Sequence, residues 1–119
     1  MEKIIKARLK TLLLSIISKS KNLPKSDEYF IIKKQLIRSM SSSAANYNAA
    51  CRAKSKKDFA YKLKIVVEEL DESYFWIDIL KSLPDNPVNL DNPLKETNEL
   101  LSIMIASVKT IESNNSKTV

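Results

Sequence analysis

The stretch Ser55-Lys56-Lys57-Asp58-Phe59-Ala60-Tyr61-Lys62-Leu63-Lys64-Ile65-Val66-Val67-Glu68-Glu69-Leu70-Asp71-Glu72-Ser73-Tyr74-Phe75-Trp76-Ile77-Asp78-Ile79-Leu80 decides the fold. Phe59, Leu63, Val66, Leu70, Ser73, Ile77 and Leu80 follow one another at alternating steps of four and three residues. That spacing is the seam of a helix packed in a bundle. Ser55 with Asp58 three residues on reads as a capping box with Asp in the place of Glu. The spacing therefore predicts a helix over about 55–82. Val67, Tyr74, Phe75, Trp76 and Ile79 lie off the seam, and one core face does not need that many large side chains. They predict a second buried face, and hence a multimer.

Three further helices follow on either side. Ser26 is the expected N-cap of a segment over about 26–52, with Asp27 and Glu28 in a first turn where carboxylates suit the helix dipole. Ile32, Leu36, Met40, Ser43, Tyr47 and Ala50 share one face of it. Phe30, Ile31, Ile37, Ala44 and Ala45 lie to the side. The small residues Ser39 and Ser41 to Ala45 allow close approach of another helix, either within the monomer or from a second subunit. Over about 2–20, Ile4, Ile5, Leu9, Leu12, Leu13, Ile16 and Ile17 form one stripe, which Asn22-Leu23-Pro24 ends. Over about 92–113, Asn92 is the expected cap and Pro93 the first helical residue, followed by Leu94, Thr97, Leu101, Met104, Val108 and Ile111.

Leu83-Pro84-Asp85-Asn86-Pro87 separates the third and fourth segments as a stiff loop. The expected fold is all-α, an up-down-up-down four-helix bundle with long second and third helices. The bundle domain is placed at 1–113 and a frayed tail at 114–119. With its longer helices, the central hairpin is expected to project beyond the other two at the turn near 50–58.

Composition removes most enzyme chemistries. None of the 119 residues is glycine or histidine, where about eight glycines are usual. Glycine-rich phosphate loops and dinucleotide fingerprints are excluded, as are Ser-His-Asp triads and histidine metal sites. One cysteine forms no intramolecular disulfide. The apolar runs fall far short of the ~20 residues of a membrane span. Lysines precede Leu12 to Ile17, but Ser15 breaks the run and no small-residue cleavage site follows. An intracellular, cytoplasmic protein is expected, and a lone Cys51 suits a reducing compartment. No cofactor is implied.

Charge is polarised along the chain. Residues 1–64 carry sixteen Lys/Arg against four Asp/Glu, whereas residues 65–119 carry four against ten. A basic half facing a polyanion and an attraction between the two halves are both open. Glu68, Glu69, Asp71 and Glu72 invite a di-metal reading, but that site needs Glu-x-x-His motifs. Pairing of Lys64 with Glu68, and of the remaining acids with Arg38, Lys33, Lys34 or a neighbouring chain, is the structural alternative. Arg52 and Lys54 would favour a Cys51 thiolate, but no base or orienting histidine accompanies it. No catalytic or metal-binding residue is predicted. The best functional candidates are the cations Arg38, Arg52, Lys54, Lys56 and Lys57, which suit phosphate contacts. Lys3, Lys6, Lys10, Lys33 and Lys34 would widen the patch. No DNA-reading motif accompanies them, so recognition would be of shape and backbone.

One multi-part pattern is more specific. It comprises Gln35-Leu36-Ile37-Arg38, Ser42-Ser43-Ala44-Ala45-Asn46-Tyr47, Arg52-Ala53-Lys54-Ser55-Lys56-Lys57-Asp58-Phe59, and Lys62 through Trp76. Together these segments resemble the bacterial four-helix-bundle family of proteins encoded in 23S rRNA intervening sequences, to which the accessory variability protein of diversity-generating retroelements is related. The match is close over about 24–81. Arg38, Asn46, Arg52, Ser55, Phe59, Glu72 and Trp76 occupy recurrent positions. The family commonly has glycine after the Asn segment and in the middle of the third helix, where this chain has Ala50 or Cys51 and Glu69 or Leu70. The resemblance implies a ring-like homopentamer with a positively charged channel. In the retroelement branch it implies nucleic-acid binding and a reverse-transcriptase partner, while most members have no known function. The subunit contacts expected are Asn46, Tyr47, Phe59, Tyr74, Phe75 and Trp76. The overall expectation is a non-enzymatic homo-oligomer that binds RNA or DNA non-specifically, serving a reverse transcriptase or an rRNA element. The alternative is a protein-interaction scaffold with no nucleic-acid role.

Overall fold

Ser55 sets the start of the central helix as its sequence predicts. Its backbone is extended, and its hydroxyl accepts from the Asp58 N–H at 3.0 Å. The computed structural model describes the backbone of residues 1–117 and the side chains of residues 1–114. Four helices follow one another: α1 (Glu2–Ser20), α2 (Asp27–Cys51), α3 (Lys56–Ser82) and α4 (Asp91–Lys117). Consecutive helices pack side by side and α4 returns to α1, which closes a four-membered bundle 54 × 21 × 21 Å in extent. The contact of α2 with α3 is the most extensive and that of α1 with α4 the least. This is the predicted up-down-up-down bundle.

The seam of α3 is the spine of the core. Leu63, Val66, Leu70, Ser73, Ile77 and Leu80 are each 1% exposed or less. Ile5, Leu9, Leu12 and Ile16 of α1, Leu36, Met40 and Tyr47 of α2, and Leu100, Leu101 and Met104 of α4 complete it. At the head of the seam Ala60 is buried and Phe59 only half-buried, so the predicted seven-residue line begins one contact later. The small residues of α2 lie inside the monomer where they face α3. Ser39 and Ser43 are fully buried, and Ser39 Oγ lies 2.8 Å from Ser73 Oγ. Two small side chains opposite one another bring the helices together. Both hydroxyls are also satisfied by backbone carbonyls, Ser39 by Leu36 and Ser73 by Glu69.

Specific polar contacts hold the remaining pairs. Arg8 forks onto Glu96, with bonds of 2.9 and 2.7 Å, and also reaches Glu99 at 2.9 Å, tying α1 to α4. Lys81 reaches Asp91 at 2.7 Å across the α3–α4 loop. The buried Tyr29 phenol donates to Asp85 at 2.7 Å, fastening the foot of α2 to that loop. Burial, followed by the Asp85 carboxylate, pushes this phenol up to about 12.

Five expectations are corrected. Helix α4 begins at Asp91, because Asn89 Oδ1 accepts from the Asp91 N–H at 2.9 Å, and so Asn92 is not the cap. Pro93 therefore sits two residues further into the first turn, where its missing N–H has no intrahelical partner to lose. At its other end α4 continues to Lys117, four residues past the boundary at 113; Thr118 and Val119 lie outside the described residues. Helix α4 equals α3 in length, at 27 residues, so the second and third helices are not the two longest. Ser26 holds the N-cap backbone position of α2, but its hydroxyl makes no capping bond. Lys64 turns away from Glu68 and meets Glu112 of α4 at 3.5 Å.

Candidate nucleic-acid interface

The turn between α2 and α3 is built without a positive φ. Arg52 ends α2 with its N–H on the Ala49 carbonyl, and Ala53 follows on Ala50 at 3.0 Å. Ser55 then starts α3. Four residues thus reverse the chain between two rigid helices. Arg52, Lys54, Lys56 and Lys57 are all exposed there, and none forms an ion pair among the described residues. Asp58, the one carboxylate in this stretch, is held by Lys62 at 2.8 Å. Arg52 and Lys54 follow the negative end of the α2 dipole, where cations are favoured. Lys56 and Lys57 occupy the first turn of α3, where each cation opposes the dipole at a cost of about 0.3–1 kcal/mol. The fold gains nothing local from them. They are exposed beside that helix start, whose Asp58 N–H is already bonded to Ser55, and a helix start flanked by cations is an arrangement suited to a phosphate.

Arg38 does not join this group. Its guanidinium binds Glu69 at 3.2 Å and also Glu72, while Gln35 accepts from its Nε at 3.3 Å. Glu72 also accepts from the Trp76 indole N–H at 3.1 Å. That indole bond first, and the guanidinium next, hold the Glu72 carboxyl below its ordinary range. Arg38 is therefore half-exposed but already neutralised from α3. Glu69 and Glu72 are committed to it, while Glu68 and Asp71 point to solvent. No group of three or more potential metal ligands occurs among the described residues. Nor is any helix among them long and apolar enough to cross a membrane.

Of the wider patch, Lys6 and Lys10 edge a shallow groove between α1 and α2, floored by Ala7, Ser41, Ala44 and Ala45. Lys33 lies at the opposite end of the bundle, beside Lys21 and Lys25. The cations of residues 1–64 thus stand along the α1–α2 groove and at both ends of the bundle, four of them at the turn. The outer stripe of α3 is their counterpart. Glu68, Asp71 and Asp78 are exposed there, together with Phe75.

The six expected subunit contacts separate. Tyr47 is 5% exposed within the core, so it is not available to a second subunit; the face it shares with Met40 and Ala50 is the interior one. Burial and then the neighbouring Cys51 raise its phenol well above the ordinary range. Asn46 spends its amide on the Ser42 carbonyl and hydroxyl, at 2.9 and 3.1 Å. Phe59, Tyr74 and Trp76 are half-buried. Phe75 is 52% exposed and meets the Trp76 ring edge-on, with centroids 4.9 Å apart. Ile4, placed by its spacing on the α1 stripe, is instead exposed, as are Phe30 and Ile31 at the side of α2, and Leu14 and Tyr61; none of the five was expected at a subunit contact. For Leu14, Phe30, Ile31 and Tyr61 the signal was present as large apolar residues off the seam positions, the same signal used for Phe75.

No curated protein matches the chain by sequence. A crystal structure of a protein of unknown function from the S23 ribosomal protein family of Bacteroides thetaiotaomicron is similar in fold. Its TM-score is 0.77 at 24% identity, with 91% of this chain and 97% of that one covered. The model of the 23S rRNA-intervening sequence protein family matches residues 2–107, which include all of α1, α2 and α3 and most of α4. With the bundle, the Arg38–Glu72–Trp76 contacts and the basic turn in place over that same span, the chain belongs to the 23S rRNA-intervening sequence protein family.

Proposed function

We propose that the protein is a non-enzymatic homo-oligomer that binds nucleic acid through its phosphate backbone, with Arg52, Lys54, Lys56 and Lys57 as the principal contacts. The observation that carries this reading is the gathering of four exposed cations, free of ion pairs among the described residues, on one short rigid turn. Two of them, Lys56 and Lys57, oppose the helix dipole and so have a local cost and no local benefit. Side chains of this kind bind the backbone and carry no base readout, so affinity would be independent of sequence and steep in salt.

Self-association is supported by a different surface. Phe75 stands in the acidic stripe of α3, whereas Ile4, Leu14, Phe30 and Ile31 stand on the helices that hold most of the lysines. An acidic face with an aromatic anchor would meet a basic face with apolar patches on the next copy, leaving the turns free. Those same surfaces favour the second reading, a scaffold that docks a protein partner without nucleic acid.

A mobility-shift titration with a random-sequence RNA and a duplex DNA at 50 mM salt tests the first reading. Retention of both by the wild type, and loss with Lys56→Glu/Lys57→Glu while the oligomer persists, is the expected result. Retention of neither would overturn it. Dissociation of the oligomer by the same double substitution would assign these lysines to the subunit contact.

A further inference from the structure

The bundle is not filled at the end that carries the basic turn. A cavity of about 490 Å³ opens there between the first turns of α1 and residues 103–111 of α4. Ile5, Tyr47, Phe59, Leu63, Met104 and Ile111 line it. Its origin is in α4, which presents Ala106, Ser107 and Thr110 to α1, the neighbour it packs against least. Short side chains at a loose helix pair leave volume that larger ones would occupy. The two hydroxyls do not make the walls polar, because Ser107 donates to the Ile103 carbonyl at 2.9 Å and Thr110 to that of Ala106 at 3.0 Å. A second recess of about 340 Å³ adjoins it. Both spaces are lined by Glu2 and Phe59, and the second is edged by Lys54 and Lys56 at the start of α3.

We propose that this end of the bundle binds a single-chain alkyl carboxylate, with its tail in the apolar cavity and its carboxylate at Lys54 and Lys56. The volume lies within the ~300–1,000 Å³ of small-ligand sites. Each half of the ligand answers one half of the site. A tailless anion leaves the cavity unfilled, and an uncharged chain leaves the lysines unused. The α3 N-terminus adds favourable partial charge to the head-group position. Glu2 is the opposing group, a carboxylate lining both spaces, and two lysines stand against it. Its head-group lysines, Lys54 and Lys56, are shared with the nucleic-acid reading, but occupancy is measured with no nucleic acid present, so failure of either reading is distinguishable from failure of the other.

Calorimetric titration of the full chain with octanoate, decanoate, decanol and inorganic phosphate tests this. Burying each added methylene tightens binding about fourfold, so decanoate is expected to bind more than tenfold tighter than octanoate. Decanol should bind about tenfold more weakly than decanoate, and inorganic phosphate should give no saturable heat at millimolar concentration. Lys54→Gln/Lys56→Gln should bring decanoate to the level of decanol and leave decanol unchanged. Glu2→Gln should tighten decanoate alone. Ser107→Phe, which fills the cavity, should abolish both ligands in a variant that keeps its helical circular dichroism. Absence of saturable decanoate binding by the wild type, or equal affinity for octanoate and decanoate, would overturn the proposal.

Discussion

The Trp76 indole N–H and the Arg38 guanidinium converge on one oxygen, Oε2 of Glu72. An aromatic on α3 and a cation on α2 are thereby fixed by a single carboxylate, alongside the close Ser39–Ser73 contact of the same two helices. A second fork, from Arg8 to Glu96, does the same for α1 and α4.

Acid should weaken the fold through these two carboxylates. The Trp76 bond, followed by Arg38, lowers the Glu72 carboxyl below its ordinary 4.5, and the Arg8 bond lowers Glu96. The folded state then binds fewer protons than the unfolded chain, so stability increases with pH through this range. The contribution is complete above about pH 4.5 and is lost as pH falls through the lower folded values. Urea unfolding from pH 6 to 3 should show this loss, and Glu72→Gln with Glu96→Gln should flatten it. Because both carboxylates are partly solvated, each substitution should cost about 1 kcal/mol or less at pH 7.

Alkali should act through Tyr29. Its phenol is raised to about 12 from 10.0, so the unfolded chain ionises first. Stability is fully present below pH 10 and is lost as pH rises toward 12. Tyr29→Phe should remove part of that dependence, measured by thermal melts between pH 9 and pH 12.

The α2–α3 contact should tolerate loss of a hydroxyl and resist added volume. Ser39→Ala leaves Ser73 its bond to the Glu69 carbonyl, so the cost should be about 0.5–1 kcal/mol. Ser39→Leu places a large side chain between two fully buried serines and should cost about 1–3 kcal/mol or prevent folding. Chemical denaturation of both variants checks the order.

Phe75 and Leu70 lie on opposite faces of α3 and should behave oppositely. Leu70 is fully buried, so Leu70→Ala should cost about 2–5 kcal/mol. Phe75→Asp should leave the melting temperature of the monomer nearly unchanged and lower the molar mass measured by light scattering at micromolar concentration. An unchanged mass would remove Phe75 from any subunit contact.

Much of this was legible because it is local. The Ser55–Asp58 cap, the Leu63-to-Leu80 seam and the exposed turn each depend on residues close in sequence. What depends on the register between helices was not. Lys64 meets Glu112 rather than Glu68 because α4 passes beside it, and no spacing within α3 contains that fact. Arg38 was grouped with the turn cations by charge and also offered as a partner for the acids of α3; the bundle realises the second reading, with Glu69 and Glu72 against it. Tyr47 shares the interior face of α2, but an aromatic near a helix end reads equally as core or interface until α1 covers it. Asn114-Asn115-Ser116 resembles a helix stop by composition, and the backbone nevertheless continues to Lys117. Three of the positions recurrent in the family resemblance, Arg38, Glu72 and Trp76, prove to be in contact, although the resemblance implied no pairing among them.

The most direct test of phosphate binding at the α2–α3 turn is the salt dependence of affinity for a labelled duplex, measured by fluorescence anisotropy from 50 to 200 mM salt. Four contacting cations per protomer predict a log–log slope of about −3.6 for each protomer engaged, and Lys56→Glu/Lys57→Glu should reduce its magnitude by about 2 or more. A slope near zero, or one that the double substitution leaves unchanged, would contradict the account.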